Sequence, residues 1–157
     1  MKHWIKCSIG LIAVVVFAGA ASGVMAQTVT GSIGNGSVTK GKASRATVVL
    51  TIPAGLHVNS AHPNSEYAIP TKVKATSNGA RIGSVSYPRG KDRKFSFSES
   101  TINVYEGRAA FGFNVTVPAG FKGNSISVRV AVKYQACTEE VCYPPKTKEI
   151  TLTARVK

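Results

Sequence analysis

An all-β chain folded as an immunoglobulin-like antiparallel β-sandwich is what this sequence predicts, on three observations. Apolar residues recur at every second position in several runs, turn signals built on Gly and Pro separate those runs, and no stretch after Ala26 repeats its apolar residues at helical spacing. A strand sends successive side chains to opposite faces, so such alternation marks a strand with one buried face and one wet face. Seven to nine short strands at this spacing fit two packed antiparallel sheets.

Composition agrees with one folded domain. The chain has 157 residues, 43% of them hydrophobic and 17% charged, which excludes both a disordered chain and a multi-span membrane protein. Lys and Arg number 20 against 7 acidic residues, a net charge of +13. Acidic proteins, anionic lipid and nucleic acid are all partners that such a charge admits.

In chain order, residues 1–26 come first. Lys2 and Lys6 precede an apolar run from Ile9 to Ala21, shorter than the roughly 20 residues that cross a bilayer. Val24-Met25-Ala26 fits the small-x-small pattern of a signal-peptidase site, so residues 1–26 read as a secretory signal cleaved near Ala26. Cys7 follows no lipoprotein-type run. The expected mature chain, Gln27–Lys157, has 131 residues and a charge of +11. It is periplasmic or secreted, where disulfides persist. Trp4 leaves with the signal, which excludes the antibody-type pairing of a buried Trp with an inter-sheet disulfide.

Residues 27–45, rich in Gly, Ser and Thr, read as a flexible arm or edge strand, and 46–157 as the sandwich domain. Within it Val48-Leu50-Ile52, Ala109–Val117, Ile126–Tyr134 and Ile150–Leu152 alternate clearly. Val73–Ala75, Ile82–Tyr87, Phe95–Phe97 and Ile102–Tyr105 are shorter candidates. Thr51-Ile52-Pro53-Ala54-Gly55 is echoed by Thr116-Val117-Pro118-Ala119-Gly120, which reads as two strands ended by similar turns.

The two mature cysteines, Cys137 and Cys142, stand four residues apart between the Ile126 and Ile150 strands. If their flanking residues pair, the cysteines oppose each other at about 4.5–5.5 Å between Cα atoms, within reach of a disulfide. Pro144-Pro145 lacks two N–H donors and marks an edge. So short a loop gains roughly 2 kcal/mol from closure, against nearly 5 for one of 100 residues. The bridge therefore reads either as a structural staple on a hairpin or as a site of thiol–disulfide exchange. There is no Cys-x-x-Cys at a helix N-terminus to stabilise a thiolate, and Glu139 and Glu140 in the loop oppose thiolate formation.

The segment Tyr134-Gln135-Ala136-Cys137 … Cys142-Tyr143-Pro144-Pro145-Lys146-Thr147-Lys148 closely resembles the N-terminal periplasmic domain of the DsbD disulfide reductases. Weaker similarity extends through Leu56-His57-Val58-Asn59-Ser60 and Glu66–Lys72, covering most of residues 46–155. The resemblance implies an immunoglobulin-like fold and a thiol:disulfide oxidoreductase activity that relays electrons between thioredoxin-like periplasmic oxidoreductases. It implies that Cys142 forms the mixed disulfide and Cys137 resolves it, with Tyr134, Tyr143 and Pro144 supporting the hairpin. An aromatic cap over the cysteines falls to Phe95 or Phe97, without the acidic residues that precede it in the family. Since the chain ends at Lys157, the module is expected to stand alone and to draw electrons in trans, from a membrane-embedded donor among others. The runner-up is an adhesion or assembly module with a structural disulfide.

Arg89, Lys91, Arg93 and Lys94 place four cations in a short run. Over the cysteines they would favour thiolate and steer acidic partners; otherwise they form a solvated loop. His57 and His62 with the two cysteines have the ligand types of a zinc site, but no spacing brings the pairs together, and neither metal nor cofactor is expected. Basic residues scattered without interleaved aromatics argue against nucleic acid. No nucleophile motif suggests hydrolysis. A monomer is expected.

Overall fold

The computed structural model describes residues 26–157; the predicted signal, apart from Ala26, lies outside them. The described residues form strands and no helix: β1 (Thr28–Ile33), β2 (Ser37–Val38), β3 (Ala43–Thr51), β4 (His57–Asn59), β5 (Lys72–Thr76), β6 (Arg81–Ile82), β7 (Lys91–Arg93), β8 (Ile102–Tyr105), β9 (Arg108–Thr116), β10 (Ser125–Tyr134), β11 (Ala136–Cys137) and β12 (Lys146–Val156). They assemble as three four-stranded sheets, ordered β1-β3-β9-β6, β2-β12-β10-β5 and β11-β4-β8-β7.

The first two sheets make the sandwich. In β3 and β9 the register sets Val48 against Phe111 and Leu50 against Ala109, and these inward residues are fully buried or nearly so. Val128, Val130, Val132 and Tyr134 of β10 complete the same core. Phe111 lies at its centre, meeting the rings of Tyr87 and Tyr105 edge-on at 5.6 and 6.0 Å.

Some details of the sequence reading are filled in and others are corrected. The Gly/Ser/Thr-rich stretch contributes an edge strand, β1, paired with β3 from Thr28↔Thr51 to Ile33↔Ala46; β3 itself begins at Ala43, upstream of residue 46. Gly31 is required there, because a Cβ would stand 2.6 Å from the Thr47 carbonyl oxygen. Within otherwise antiparallel sheets the two-residue β2 runs parallel to β12, where Arg155 and Lys157 N–H donate to Gly36 and Val38 carbonyls. Of Ile82–Tyr87 only β6 and a bridge at Ser86 survive. Phe95–Phe97 is a turn, closed by Ser98 N–H to the Phe95 carbonyl, and lies beyond β7, which ends at Arg93. The adjoining basic run, read as a loop, instead supplies strand β7.

The third sheet was not foreseen, and it positions the site. Its register pairs Ala136 with Val58 and Val58 with Tyr105, and all three join the main core. The alternate residues Cys137, His57 and Val104 must then face the other way. There, Phe95, Ile102 and Val104 form a second small core with Ala68 against it. Phe111→Ala should cost about 3–5 kcal/mol, read as a lowered urea midpoint; a loss below about 1 kcal/mol would contradict the central placement of this ring.

Candidate functional site

The outer face of the third sheet carries a row of chemically capable side chains. Cys137 and Cys142 are joined by a disulfide, with Cα atoms 4.0 Å apart. Thr138 N–H donates to the Val141 carbonyl and Tyr143 N–H to the Ala136 carbonyl. The cysteines therefore occupy a non-hydrogen-bonded pair, the position where opposed side chains come closest. Thr138 Oγ1 accepts from the N–H groups of Glu140 and Val141 and shapes the loop tip, and Pro144-Pro145 ends the pairing.

The two cysteines differ in access. Cys137 is 0% exposed, whereas Cys142 is exposed. Cys142 opens onto a cleft of ≈ 190 Å³ lined by Asn59, Tyr67, Ala68, Phe97, Ile102 and Gln135, among others. Around it stand exposed apolar side chains: Tyr67 (88%), Val141 (54%), Phe97 (45%) and Tyr143 (45%). Asn59 Nδ2 donates to Gln135 Oε1 at 3.2 Å, and Gln135 Nε2 to the Tyr143 carbonyl at 3.2 Å, tying the hairpin to β4.

The two cap candidates take different places. Phe95 is buried and lies flat on the His57 ring at 4.3 Å. Phe97 stacks on Phe95 at 5.2 Å and reaches the cleft that holds Cys142. Of the hairpin residues, Tyr134 is buried, its hydroxyl 3.4 Å from Gln27 Oε1, and burial pushes its pKa up. Tyr143 and Pro144 are exposed and, with Leu56, Tyr134 and Ala136, line a separate cleft of ≈ 200 Å³.

The basic run does approach the cysteines. Arg93 donates to Glu106 at 2.9 Å and to Glu139 in the cysteine loop at 3.4 Å, and Lys91 lies 3.6 Å from Glu106. The Glu139 charge is thus offset by Arg93, while Lys94 turns away to the Glu99 carbonyl.

His57, read in sequence as a strand residue in preference to a metal ligand, is directly opposite Cys137 in the register and buried. His62 is exposed. Among the described residues no three His, Cys, Asp or Glu cluster in a ligand arrangement. Burial holds the His57 pKa below 6.5, opposed by Glu139 and Glu106 and reinforced by Arg93. The parity of β4 was the available signal: Val58 belongs to the apolar core, so His57 and Asn59 must share the opposite face with Cys137.

Two outcomes are expected. Because the imidazole is a weaker base in the folded state than in the unfolded, its contribution to stability is complete above pH 6.5. It is lost as pH falls from 6.5 through the lower folded pKa. Denaturant midpoints over that range should fall less steeply for His57→Phe, which keeps a ring for Phe95; an unchanged slope would mean that His57 is not the group responsible. After mild reduction, iodoacetamide should label Cys142 at least about ten times faster than Cys137 in the folded protein, and equal labelling would contradict the asymmetry.

Comparison with known proteins now bears on the site. The sequence profile of the family described as "Thiol:disulfide interchange protein DsbD, N-terminal" matches residues 32–154. Among solved structures, the Neisseria meningitidis DsbD N-terminal domain in its reduced form is 22% identical, over 70% of this chain and 80% of that one, with a TM-score of 0.45. The N-terminal periplasmic domain of ScsB from Proteus mirabilis is 9% identical, with a TM-score of 0.51. That match takes in 82% of this chain and 44% of the other. No curated protein sequence matches the chain. No helix among the described residues is long and apolar enough to cross a membrane.

Proposed function

The chain belongs to the family of DsbD N-terminal domains, and on that premise we propose that it is an exported thiol–disulfide interchange module relaying electrons between thioredoxin-like oxidoreductases. The observation that carries this reading is the unequal exposure of the two bridged cysteines: Cys142 is exposed and lines an apolar-rimmed cleft, while Cys137 is buried in the sheet. A staple needs neither an open sulfur nor a surrounding docking surface.

In the electron-accepting direction, a thiolate of a reduced partner attacks Cys142 Sγ and forms a mixed disulfide, and Cys137 leaves carrying the electron pair. The partner's second thiol then resolves the bond. In the donating direction Cys142 attacks the partner's disulfide, and Cys137 resolves by attacking Cys142 Sγ. Exposure favours Cys142 as the sulfur that meets partners, in line with the family resemblance. Phe97, supported from beneath by Phe95, serves as the cap that a partner displaces. Tyr134 and the Asn59–Gln135 pair hold the hairpin to the sheet; Tyr143 and Pro144 lie on its exposed rim.

The partners are thioredoxin-like proteins, with a membrane-embedded donor as one source of electrons. A periplasmic or secreted location rests on the signal read in residues 1–26, with cleavage near Ala26. The charge of Gln27–Lys157 favours acidic partners, and association should slow as salt rises.

Equilibration in glutathione buffers with thiol-specific mass labelling should give a reduction potential between about −270 and −180 mV, the range of exchange proteins. Cys137→Ser should then accumulate a mixed disulfide through Cys142 with a thioredoxin-like protein. A potential below about −300 mV with no trapped species would instead indicate a structural disulfide and an adhesion or assembly module.

A further inference from the structure

The relay just proposed leaves one chemical requirement unmet. Resolution needs Cys137 as a thiolate, yet Cys137 is wholly buried, and burial disfavours the charged form of a thiol. A buried thiol that must ionise on each turnover needs a proton acceptor close by, and the register supplies one.

Cys137 has two cross-strand neighbours on its own face. One is Cys142, through the bridge at the hairpin; the other is His57, its pairing partner in β4. Directly opposed residues on one face carry Cβ atoms about 4.5–5.5 Å apart, within side-chain reach. The β4–β8 register, Val58↔Tyr105 and Asn59↔Val104, continues by one residue to set Glu106 beside His57. The face therefore runs Glu106, His57, Cys137, Cys142: carboxylate, imidazole, thiol, thiol. Phe95 covers the imidazole, stacked at 4.3 Å, and keeps it from water.

Resting on the relay reading, we propose that His57 is the proton acceptor for Cys137 during resolution, with Glu106 as the positioning residue that steadies the imidazolium. The step balances as follows. In the mixed disulfide Cys142–S–S–partner, neutral His57 takes the Cys137 thiol proton. The thiolate attacks Cys142 Sγ, the Cys137–Cys142 bond forms, and the partner sulfur departs with the electron pair. The imidazolium returns its proton to that departing thiolate or to water. The partner disulfide is the oxidant, and two cysteines of this chain are oxidised.

The surroundings of His57 suit the task. Cys137 faces it from β11, Glu106 from the residue just after β8, Glu139 from the cysteine loop and Arg93 from β7, with Lys91 paired to Glu106. Burial keeps the imidazole neutral near pH 7 and so able to accept a proton, and the two carboxylates counter that effect enough to favour imidazolium once it forms. Arg93 is already shared between both carboxylates. The placement of His57 opposite Cys137 suits it to proton chemistry.

The test uses the reduced protein and Ellman's reagent, a disulfide whose released thiolate is coloured. The first release reports attack by exposed Cys142, the second reports resolution by Cys137. In the unaltered protein the second phase should show an inflection at the imidazole's titration. His57→Phe, which retains the stack on Phe95, should slow that phase by about a hundredfold near neutral pH and abolish the inflection, leaving the first phase unchanged. His57→Gln should do the same, so a packing defect in one variant does not decide the result. Glu106→Gln should move the inflection to lower pH. A second phase whose rate and pH profile ignore both His57 substitutions overturns the proton role while leaving the relay standing. A protein that never makes the second release overturns both.

Discussion

The site depends on the two-residue period of a strand. In the third sheet Val58, Tyr105 and Ala136 point into the main core, and their burial fixes the register of β4, β8 and β11. A slip of one residue would drive His57 and Cys137 into the hydrophobic interior and expose Val58 and Ala136. Hydrophobic burial on one face thus holds the disulfide, the imidazole and the carboxylate in line on the other. The chemistry of the outer face is positioned by residues that take no part in it.

Energetic magnitudes separate what stabilises this region from what tunes it. Closing the short cysteine loop gains roughly 2 kcal/mol, a modest part of what the main core supplies. The ion pairs linking Lys91, Glu106, Arg93 and Glu139 are largely exposed on the cation side, where such pairs contribute about 0–1 kcal/mol each. Their effect is local charge. By sharing Arg93 between Glu106 and Glu139, the fold brings β7 and the cysteine loop together and offsets an anion that would otherwise oppose thiolate at the hairpin. The basic run, a stray cationic loop in sequence, is a strand because its backbone pairs with β8 from Lys91↔Val104 to Arg93↔Ile102.

The all-β class and the long strands β9, β10 and β12 were legible because each buries one face against a continuous core, which imprints alternation on the sequence. The cysteine hairpin was legible from spacing and its closing prolines. The third sheet was not, since β4, β7 and β11 have two or three residues each, too few for a period to register. Phe95–Phe97 misled for a related reason: aromatic residues two apart fit the same-face spacing of a strand, and a turn here brings the two rings together just as well. His57 was visible as a residue and illegible as a neighbour, because cross-strand partners separated by 80 positions leave no trace in local pattern.

Thiol exchange makes two demands that conflict in a simple hairpin. One sulfur must be open to a partner protein, and the other must be kept from wrong partners until the mixed disulfide exists. Unequal burial across a single non-hydrogen-bonded pair meets both, since residues 4.0 Å apart at the Cα atoms can lie on either side of the sheet's wet boundary. The same burial deprives the inner sulfur of water as a proton acceptor. Within the proposed exchange, a neutral base must therefore lie inside the boundary, on the same face and next in the row. The register leaves one such place on the side away from Cys142, directly opposite Cys137 in β4, and His57 occupies it.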